Sequence, residues 1–184
     1  MRLFLALEPP PGLRAELQRL REALERSTPG WRWIRAESVH LTLRFLGEVD
    51  ASREAAARGA GEAAAAEAHP LHLELHGVGC FPNPRRPRVL WVGIEETRAP
   101  GALAALAAGL ETAARQHGFP PETRAFRPHL TLARAGPAGW PTAPRVEFRG
   151  TTAWAASELV LYQSELHPAG ARYTRRAVFP LGGA

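Results

Sequence analysis

Apolar residues in the first half of the chain recur alternately at strand and helix periods. The apolar stretch 2–8 predicts a first strand, and regularly spaced leucines at 13–24 predict an amphipathic helix after it. A second, alanine-rich helix is expected at 51–68, where Gly59 and Gly61 should weaken it. The remaining patterns predict a pair of neighbouring strands at 31–34 and 40–46, and further strands at 71–76 and 89–92.

The second half of the chain loosely repeats this order. Leucines at helical spacing predict a helix that ends near Gly118, and four β-rich stretches follow it, at 129–134, 146–148, 159–166 and 173–179. This duplication predicts an α+β, bilobal fold in which two antiparallel-rich sheets face a central cleft, with helices outside and pseudo-twofold symmetry. No long polar linker separates the halves, so we expect a single domain over 1–184. Its lobes would be approximately 1–95 and 96–184, unless terminal strands are exchanged between them.

Composition favours an anionic partner without identifying it. The chain has 184 residues, of which 45% are hydrophobic, so it can bury a sizeable core. Its formal net charge is +5, and all of its basic residues are arginine because lysine is absent. Arginine binds phosphate through a planar fork of donors. A coding bias towards G and C would explain the missing lysines equally well, so the charge is only supporting information.

The same sequence argues against export and against a disulfide framework. A single cysteine, Cys80, can form neither an internal disulfide nor, alone, a thiolate metal site. The first apolar run is stopped by Glu8 and three prolines, which is too short for the core of a signal peptide. No stretch reaches the length of a membrane span. We therefore expect a cytoplasmic protein without membrane attachment, and a monomer.

The tetrapeptide His-Leu-Thr-Leu occurs twice, at 40–43 and at 129–132. Successive side chains of a strand point to opposite faces, so the histidine and threonine of each copy share one face while the leucines bury the other. A single strand of this kind is usually a structural, hydrogen-bonded pair. Two copies, each with a polar approach and a glycine turn after it, instead favour two matched half-sites around one substrate.

Two histidines that face one substrate can act as a general acid and a general base. In-line cleavage of a phosphodiester needs both, one to activate the nucleophile and one to protonate the departing oxygen. The threonine hydroxyls can donate hydrogen bonds to the non-bridging oxygens, and an arginine can offset the charge. This chemistry requires no metal and no cofactor, and we expect neither.

Two other classes of protein remain compatible with the repeat. A non-catalytic module that binds RNA ends would keep arginines and aromatic residues but would not need both histidines. A duplicated structural domain would hide both histidines in its core. Exposure of the two imidazoles to a common cleft would discriminate between these alternatives and an enzyme.

The sequence resembles the two-histidine phosphoesterases, and within them the RNA 2',3'-cyclic phosphodiesterases first described as bacterial and archaeal 2'-5' RNA ligases. The segments that carry the resemblance extend over nearly the whole chain, at 2–7, 39–47, 81–84, 126–132, 161–162 and 172–174. The resemblance implies a bilobal fold and hydrolysis of an RNA 2',3'-cyclic phosphate to a 2'-phosphate end. It also implies a weak, reversible joining of RNA ends through a 2'-5' bond.

The resemblance assigns roles to the motif residues. It implies that His40 donates a proton to the leaving 3'-oxygen, that His129 is the base acting on water, and that Thr42 and Thr131 bind the phosphate. From the residues alone, the near-symmetry of the two copies leaves open which histidine has which role.

Two arginines are candidates for a phosphate contact. The resemblance favours Arg134, but strict alternation gives Arg134 the opposite parity to His129, whereas Arg44 shares a face with His40. Only a bulge or a strand end would turn Arg134 inward. We therefore predict Arg134 as the main contact and keep Arg44 as a second candidate.

Other polar and aromatic residues have both a functional and a structural interpretation. The candidates for RNA binding beyond the scissile end are Phe4, Trp33, Arg85, Arg86 and Tyr173. The alternatives are core packing for the aromatic residues and a solvated turn for the arginines. A histidine-rich strand at 69–76 has the spacing of metal ligands, but a solvated face opposite three leucines explains it, and we expect no metal there.

Overall fold

The computed structural model describes residues 1–137, 141–167 and 170–182. Its helices are α1 (Pro11–Glu25), α2 (Glu54–Ala66) and α3 (Ala102–Gln116), and short 3₁₀ turns occupy Ala36–Ser38 and Ala51–Arg53. Its strands are β1 (Arg2–Leu7), β2 (Trp31–Trp33), β3 (Leu41–Glu48), β4 (Leu71–Phe81), β5 (Val89–Glu96), β6 (His129–Ala135), β7 (Trp154–Ala156), β8 (Glu158–His167) and β9 (Gly170–Pro180).

The strands form one nine-stranded sheet in which every described pair is antiparallel. Eight strands follow the order β7-β4-β5-β6-β3-β1-β8-β9, and β2 pairs with β6 beside this path. The two motif strands, β3 and β6, lie at the centre and are paired at one position, Leu41 with Leu130. The predicted α+β class is confirmed, and this single pair joins the two predicted sheets into one.

Each half of the sheet combines strands from distant parts of the chain. One half contains β3, β1, β8 and β9, and the other contains β6, β5, β4 and β7. Helix α2 packs on β8 and β9 and against α3, which packs on β3. Helix α1 contacts the segment before β7. The buried carboxylate of Glu16, in α1, accepts hydrogen bonds from the backbone N–H groups of Thr151 and Thr152 in that segment. The division into lobes at about residue 95 remains a prediction.

Two of the predicted strands differ from the structure. The stretch 31–34 does not pair with 40–46, because Trp31–Trp33 instead lies along Ala133–Ala135 of β6. The stretch 146–148 is not a strand; its backbone meets β4 through isolated hydrogen bonds, such as that from the N–H of Gly77 to the carbonyl of Phe148. The strand that pairs with β4 at the edge of the sheet is Trp154–Ala156. Its three residues are too few for a strand to be predicted from their pattern.

The core lies between the helices and the apolar face of the sheet. Its largest fully buried side chains include Trp154 and leucines from four strands and two helices. Phe4 is buried on the other face of β1, in a separate cluster with Ala6, Val160 and Tyr162. Among the described residues, no helix is both long enough and apolar enough to cross a membrane. The opposite face of the central strands is left free to line a cleft.

Candidate active site

The two motifs meet on a pseudo-twofold axis. The second residue of one motif, Leu41, pairs with the second residue of the other, Leu130. Antiparallel geometry then places His40 opposite Thr131, and Thr42 opposite His129, on the face away from the buried leucines. Diagonal neighbours in such a pair lie about 7–8 Å apart, which leaves room for one phosphate group between the two imidazoles.

All four motif side chains line one cleft of about 970 Å³. Both histidines and both threonines are partly exposed, while the leucines between them are buried. A purely structural duplication would have hidden the imidazoles. The structure therefore brings together the four predicted residues, and their individual roles remain predictions.

A β-bulge at the same position of each motif determines which of the two candidate arginines points into the cleft. Leu43 in β3 and Leu132 in β6 are extra residues, at which the pairing with the neighbouring strand shifts by one. A bulge reverses the alternation of side chains beyond it. Arg134 consequently regains the face of the histidines and lines the cleft, whereas Arg44 turns to the opposite face.

Each histidine is oriented by the same backbone contact. Nδ1 of His40 lies 3.0 Å from the carbonyl oxygen of Ser38, and Nδ1 of His129 lies 2.6 Å from that of Arg127. A carbonyl can only accept, so Nδ1 carries the proton in both rings. Nε2 is therefore the nitrogen left to exchange a proton with a substrate in the cleft.

Aromatic rings hold the two imidazoles in place. Tyr173 meets the His40 ring edge-on at 4.9 Å, and Phe81 meets the His129 ring edge-on at 5.0 Å. The ring of Phe4 also lies 4.6 Å from that of His40. These contacts restrict ring rotation and remove the imidazoles partly from water.

Burial and positive charge lower the pKa of both histidines. Burial is the main cause of a His40 pKa of about 4, and the positive charges of Arg134 and His129 act in the same direction. Burial, together with Arg134, also lowers the pKa of His129. The hydrogen bonds to the backbone carbonyls oppose these shifts. The cleft is thus lined by arginines and by imidazoles whose surroundings favour the neutral form, an arrangement suited to an anion.

The phosphate contact predicted at Arg44 is corrected by the structure. This side chain is 6% exposed, and its Nε lies 2.7 Å from a carboxylate oxygen of Glu111. Its other nitrogens donate to the carbonyl oxygens of Phe45 and Pro120. Arg44 therefore ties β3 to α3 and to the segment after it, away from the cleft.

The predicted RNA-binding residues are distributed differently from expectation. Phe4 is only 1% exposed and supports His40, so it cannot stack on a base, and Trp33 packs against the core outside the cleft. Tyr173 lines the cleft. Arg85 and Arg86 are exposed on a tight turn organised by Asn83, beside the cleft residues Phe81 and Pro82, and their contact with RNA remains a prediction.

Phe45 is one of the cleft residues that sequence reasoning missed. Phe45 lies five residues after His40, as Arg134 lies five residues after His129, and both line the cleft beyond the bulge. This equal spacing was available in the sequence. It could not be interpreted because alternation alone places both side chains on the wrong face.

The histidines of β4 are spread along the strand. Within 1–137, 141–167 and 170–182, no group of three or more His, Cys, Asp or Glu side chains is arranged to hold a metal ion. His72 and Glu74 are partly exposed and His76 is exposed, opposite the buried leucines of the same strand. A half-solvated strand explains them.

Comparison with known proteins finds similarity over the whole length of the chain. The model of the LigT-like phosphoesterase family matches residues 7–91 and 94–173. An RNA 2',3'-cyclic phosphodiesterase of Methanothermobacter thermautotrophicus is 32% identical over 186 residues, which cover 98% of this chain and 99% of that protein.

Solved structures agree with this result. The crystal structure of TT0787 of Thermus thermophilus is 33% identical, with a TM-score of 0.85 over 100% of this chain and 99% of the other. E. coli LigT complexed with 3'-AMP is 30% identical, with a TM-score of 0.75 over 98% of this chain and 97% of the other. Since sequence and fold match along both halves, each with its own motif, the chain belongs to the LigT-like phosphoesterase family.

Proposed function

We propose that this protein hydrolyses the 2',3'-cyclic phosphate at an RNA end and leaves a 2'-phosphate, without a metal ion. The observation that carries the proposal is the pair of imidazoles that share one electropositive cleft, each with its Nδ1 bound to a backbone carbonyl. Family membership supports it, as do the activity named for the Methanothermobacter relative and the 3'-AMP bound by E. coli LigT.

The reaction is an in-line displacement at phosphorus. Nε2 of His129 accepts a proton from water as the water oxygen bonds to phosphorus. The bond from phosphorus to the 3'-oxygen breaks on the opposite side, and that oxygen takes a proton from Nε2 of His40. The assignment of the two roles follows the family resemblance. A phosphate monoester remains on the 2'-oxygen.

Thr42, Thr131 and Arg134 stabilise the transition state in this mechanism. The two hydroxyls lie beside the histidines and donate to the non-bridging oxygens, and the guanidinium offsets their charge. Acid-base catalysis by one positioned histidine contributes about 10²- to 10⁴-fold. The hydroxyl and arginine contacts must therefore supply much of the remaining acceleration.

The same site can join RNA ends. If a 5'-hydroxyl takes the place of water, its attack on the cyclic phosphate releases the 3'-oxygen and forms a 2'-5' linkage. We propose this as a weak, reversible side activity. We also propose that the protein acts in the cytoplasm, since the thiol of its single cysteine is buried and suits a reducing compartment. We propose further that it acts as a monomer. Light scattering after size exclusion would test the monomer.

The direct test is turnover of an oligoribonucleotide ending in a 2',3'-cyclic phosphate, in the presence of EDTA. Full activity and a 2'-phosphate product are expected, whereas strict dependence on added divalent ions would overturn the mechanism. Binding without turnover would instead identify a non-catalytic module for RNA ends.

Single and double histidine variants test the shared proton transfer. His40→Ala or His129→Ala should each lower kcat by about 10²- to 10⁴-fold. Removing both should be little worse than removing one, because residues that act as a unit are not additive. Losses that multiply would argue against a single concerted step.

A further inference from the structure

We propose that a second cavity, beside His40, binds the phosphodiester that precedes the terminal nucleotide of the RNA substrate. This site rests on the proposed function for the identity and the direction of its ligand. The second cavity has a volume of about 360 Å³, near the lower end of the range of about 300–1,000 Å³ for small-molecule sites. It shares part of its lining with the cleft, namely Ser38, Val39, His40, Ala171 and Tyr173. The two spaces therefore adjoin across the His40 imidazole.

The charged side chains of the second cavity are three arginines and two glutamates. They are Arg35, Arg172, Arg175, Glu8 and Glu37. The carboxylate of Glu8 is already compensated, because it accepts hydrogen bonds from the guanidinium groups of Arg14 and Arg175. The hydroxyl of Tyr162 donates a third hydrogen bond to it, at 2.8 Å. The charges left to act on a ligand are those of the other two arginines, opposed by one glutamate.

Arg35 and Arg172 are available to bind an external anion. Both side chains are exposed, and neither guanidinium has a hydrogen bond or an ion pair within the part of the chain that the structure describes. Arginine recognises phosphate oxygens through its planar fork of donors. Glu37 faces the same cavity and reduces its positive charge without reversing it.

Both arginines belong to segments that contact the His40 ring. Arg35 directly precedes the 3₁₀ turn that ends at Ser38, whose carbonyl oxygen lies 3.0 Å from Nδ1 of His40. Arg172 directly precedes Tyr173, whose ring meets the His40 ring edge-on at 4.9 Å. The backbone of both arginines is thus fixed relative to the imidazole that borders the cleft.

The proposed mechanism sets the direction in which the RNA strand leaves the cleft. In an in-line displacement the attacking and the departing oxygens lie on opposite sides of phosphorus. Water is activated by His129, so the departing 3'-oxygen and the ribose that carries it lie at His40. The 5'-carbon of that ribose is joined to the preceding phosphodiester. The strand therefore continues on the side of the cleft where the second cavity adjoins it.

Recognition by charge predicts a preference that shape alone would not produce. A phosphodiester in the second cavity should bind more tightly than an uncharged linkage of nearly the same size. Because both guanidinium groups are exposed, each contact should change affinity by only roughly 1.5- to 5-fold, as measured for exposed ion pairs. Two such contacts together give a preference of roughly 2- to 25-fold.

The test uses two forms of the dinucleotide adenylyl-adenosine that end in a 2',3'-cyclic phosphate and differ in one charge. One has the natural phosphodiester between its nucleosides, and the other has an uncharged methylphosphonate. For the wild type, the ratio of kcat/KM for the charged form to that for the uncharged form should be roughly 2 to 25. The double variant Arg35→Gln/Arg172→Gln should lower this ratio to 1 or below. Arg19→Gln, at an exposed arginine of α1 outside both spaces, should leave it unchanged.

Glu37 offers a variant with the opposite sign in the same cavity. Glu37→Gln removes a negative charge and should raise the ratio by roughly 1.5- to 5-fold. A wild-type ratio of 1 would overturn the proposal. So would a decrease in Glu37→Gln, or a loss in Arg19→Gln as large as in the double arginine variant.

A binding measurement separates the second site from the proposed function. Calorimetric titration of the two dinucleotides with a 2'-phosphate end, one with each linkage, requires no turnover. The preference for the charged linkage, and its loss in the double arginine variant, are expected even if the wild type hydrolyses no cyclic phosphate. Turnover of both dinucleotides with no preference between them would leave the proposed function standing and refute the second site.

Discussion

The surroundings of the two motif histidines change their tautomer, their orientation and their pKa relative to a free imidazole. The backbone carbonyls fix the tautomer, the neighbouring aromatic rings fix the orientation, and burial with Arg134 favours the neutral form. One imidazole must nevertheless be protonated for the reaction. The negative charge of a bound phosphate raises the pKa of both rings, so substrate binding helps to create the acid it needs.

The pH dependence of kcat/KM should reflect the free enzyme. The base must be neutral and the acid protonated, so the profile is bell-shaped, with limbs that belong to the coupled pair. An ordinary imidazole pKa of 6.5 is lowered in both rings, to about 4 for His40, so the maximum should lie between these values. Initial rates at low substrate concentration, from acidic to mildly alkaline pH, would measure it. A maximum above the ordinary value would contradict the effect of burial.

Arg134→Ala should have two separate effects. A hydrogen bond to a charged group contributes about 1.5–3 kcal/mol, so kcat/KM should fall roughly 10- to 150-fold. The loss of its positive charge should also move the bell towards higher pH, since Arg134 lowers the pKa of both histidines. Arg44→Met is the matched control, because its guanidinium pairs with Glu111 outside the cleft.

The control variant Arg44→Met should change the stability of the protein rather than its kcat/KM. Arg44→Met is expected to lower the free energy of unfolding by about 1.5–3 kcal/mol, with kcat/KM of the folded protein little changed. Urea titrations and steady-state kinetics on both variants would decide the matter. A large kinetic defect in the Arg44 variant with intact stability would restore Arg44 as a candidate phosphate ligand.

At the scale of secondary structure, the bulges and the helix glycines determine which side chains meet. Each bulge lets a strand bury two consecutive side chains, such as Leu132 and Ala133, and then return a functional residue to the cleft. In helix α2 the glycines are not simply weak points. A Cβ on Gly61 would lie 2.5 Å from the Phe179 ring, and one on Gly59 would lie 2.5 Å from the His117 ring.

Two glycine-to-alanine substitutions should therefore act in opposite directions. Gly61→Ala gains about 1 kcal/mol of helix propensity but overpacks against Phe179, which costs about 1–3 kcal/mol, so a net loss of up to about 2 kcal/mol is expected. A Cβ added to Gly109 in α3 would meet nothing within 4 Å, and Gly109→Ala should stabilise the protein by up to about 1 kcal/mol. Urea unfolding of both variants measures the difference, and equal stabilisation would disprove the packing argument.

At the scale of the whole molecule, two half-sheets joined at one residue pair line the cleft, and the chain carries a formal net charge of +5. The charge acts over the length of an RNA strand, beyond the reach of the catalytic groups. Exposed arginines on the turn after β4 lie beside the cleft entrance and are the proposed contacts for more distant phosphates.

The salt dependence of KM should reveal those contacts. For single strands, each phosphate contact changes the slope of log affinity against log salt by about 0.7. Arg85→Ala or Arg86→Ala should each reduce the slope for an oligoribonucleotide substrate by about that amount and leave a mononucleotide substrate unaffected. Arg19→Ala, an exposed arginine of helix α1, changes the net charge equally and serves as control. An equal effect from all three would leave only a general electrostatic contribution.

Much of this protein was determined by local sequence. Leucines at helical spacing predicted α1 and α3, and an alanine-rich stretch predicted α2. The duplicated His-Leu-Thr-Leu motif predicted β3 and β6, which bring the histidines and threonines to the cleft. These features could be predicted because an amphipathic period and a two-residue alternation are properties of the chain itself.

Tertiary structure decided what depends on contacts between distant segments. Strand register decided three such features. It put β2 beside β6, buried Phe4 beneath His40, and turned Arg134 rather than Arg44 into the cleft. A bulge appears only when a strand is matched to its neighbour, and one extra residue reverses every side chain beyond it. For that reason the sequence predicted the pair of histidines that share the cleft, whereas only the folded sheet decided which arginine and which aromatic ring line the cleft with them.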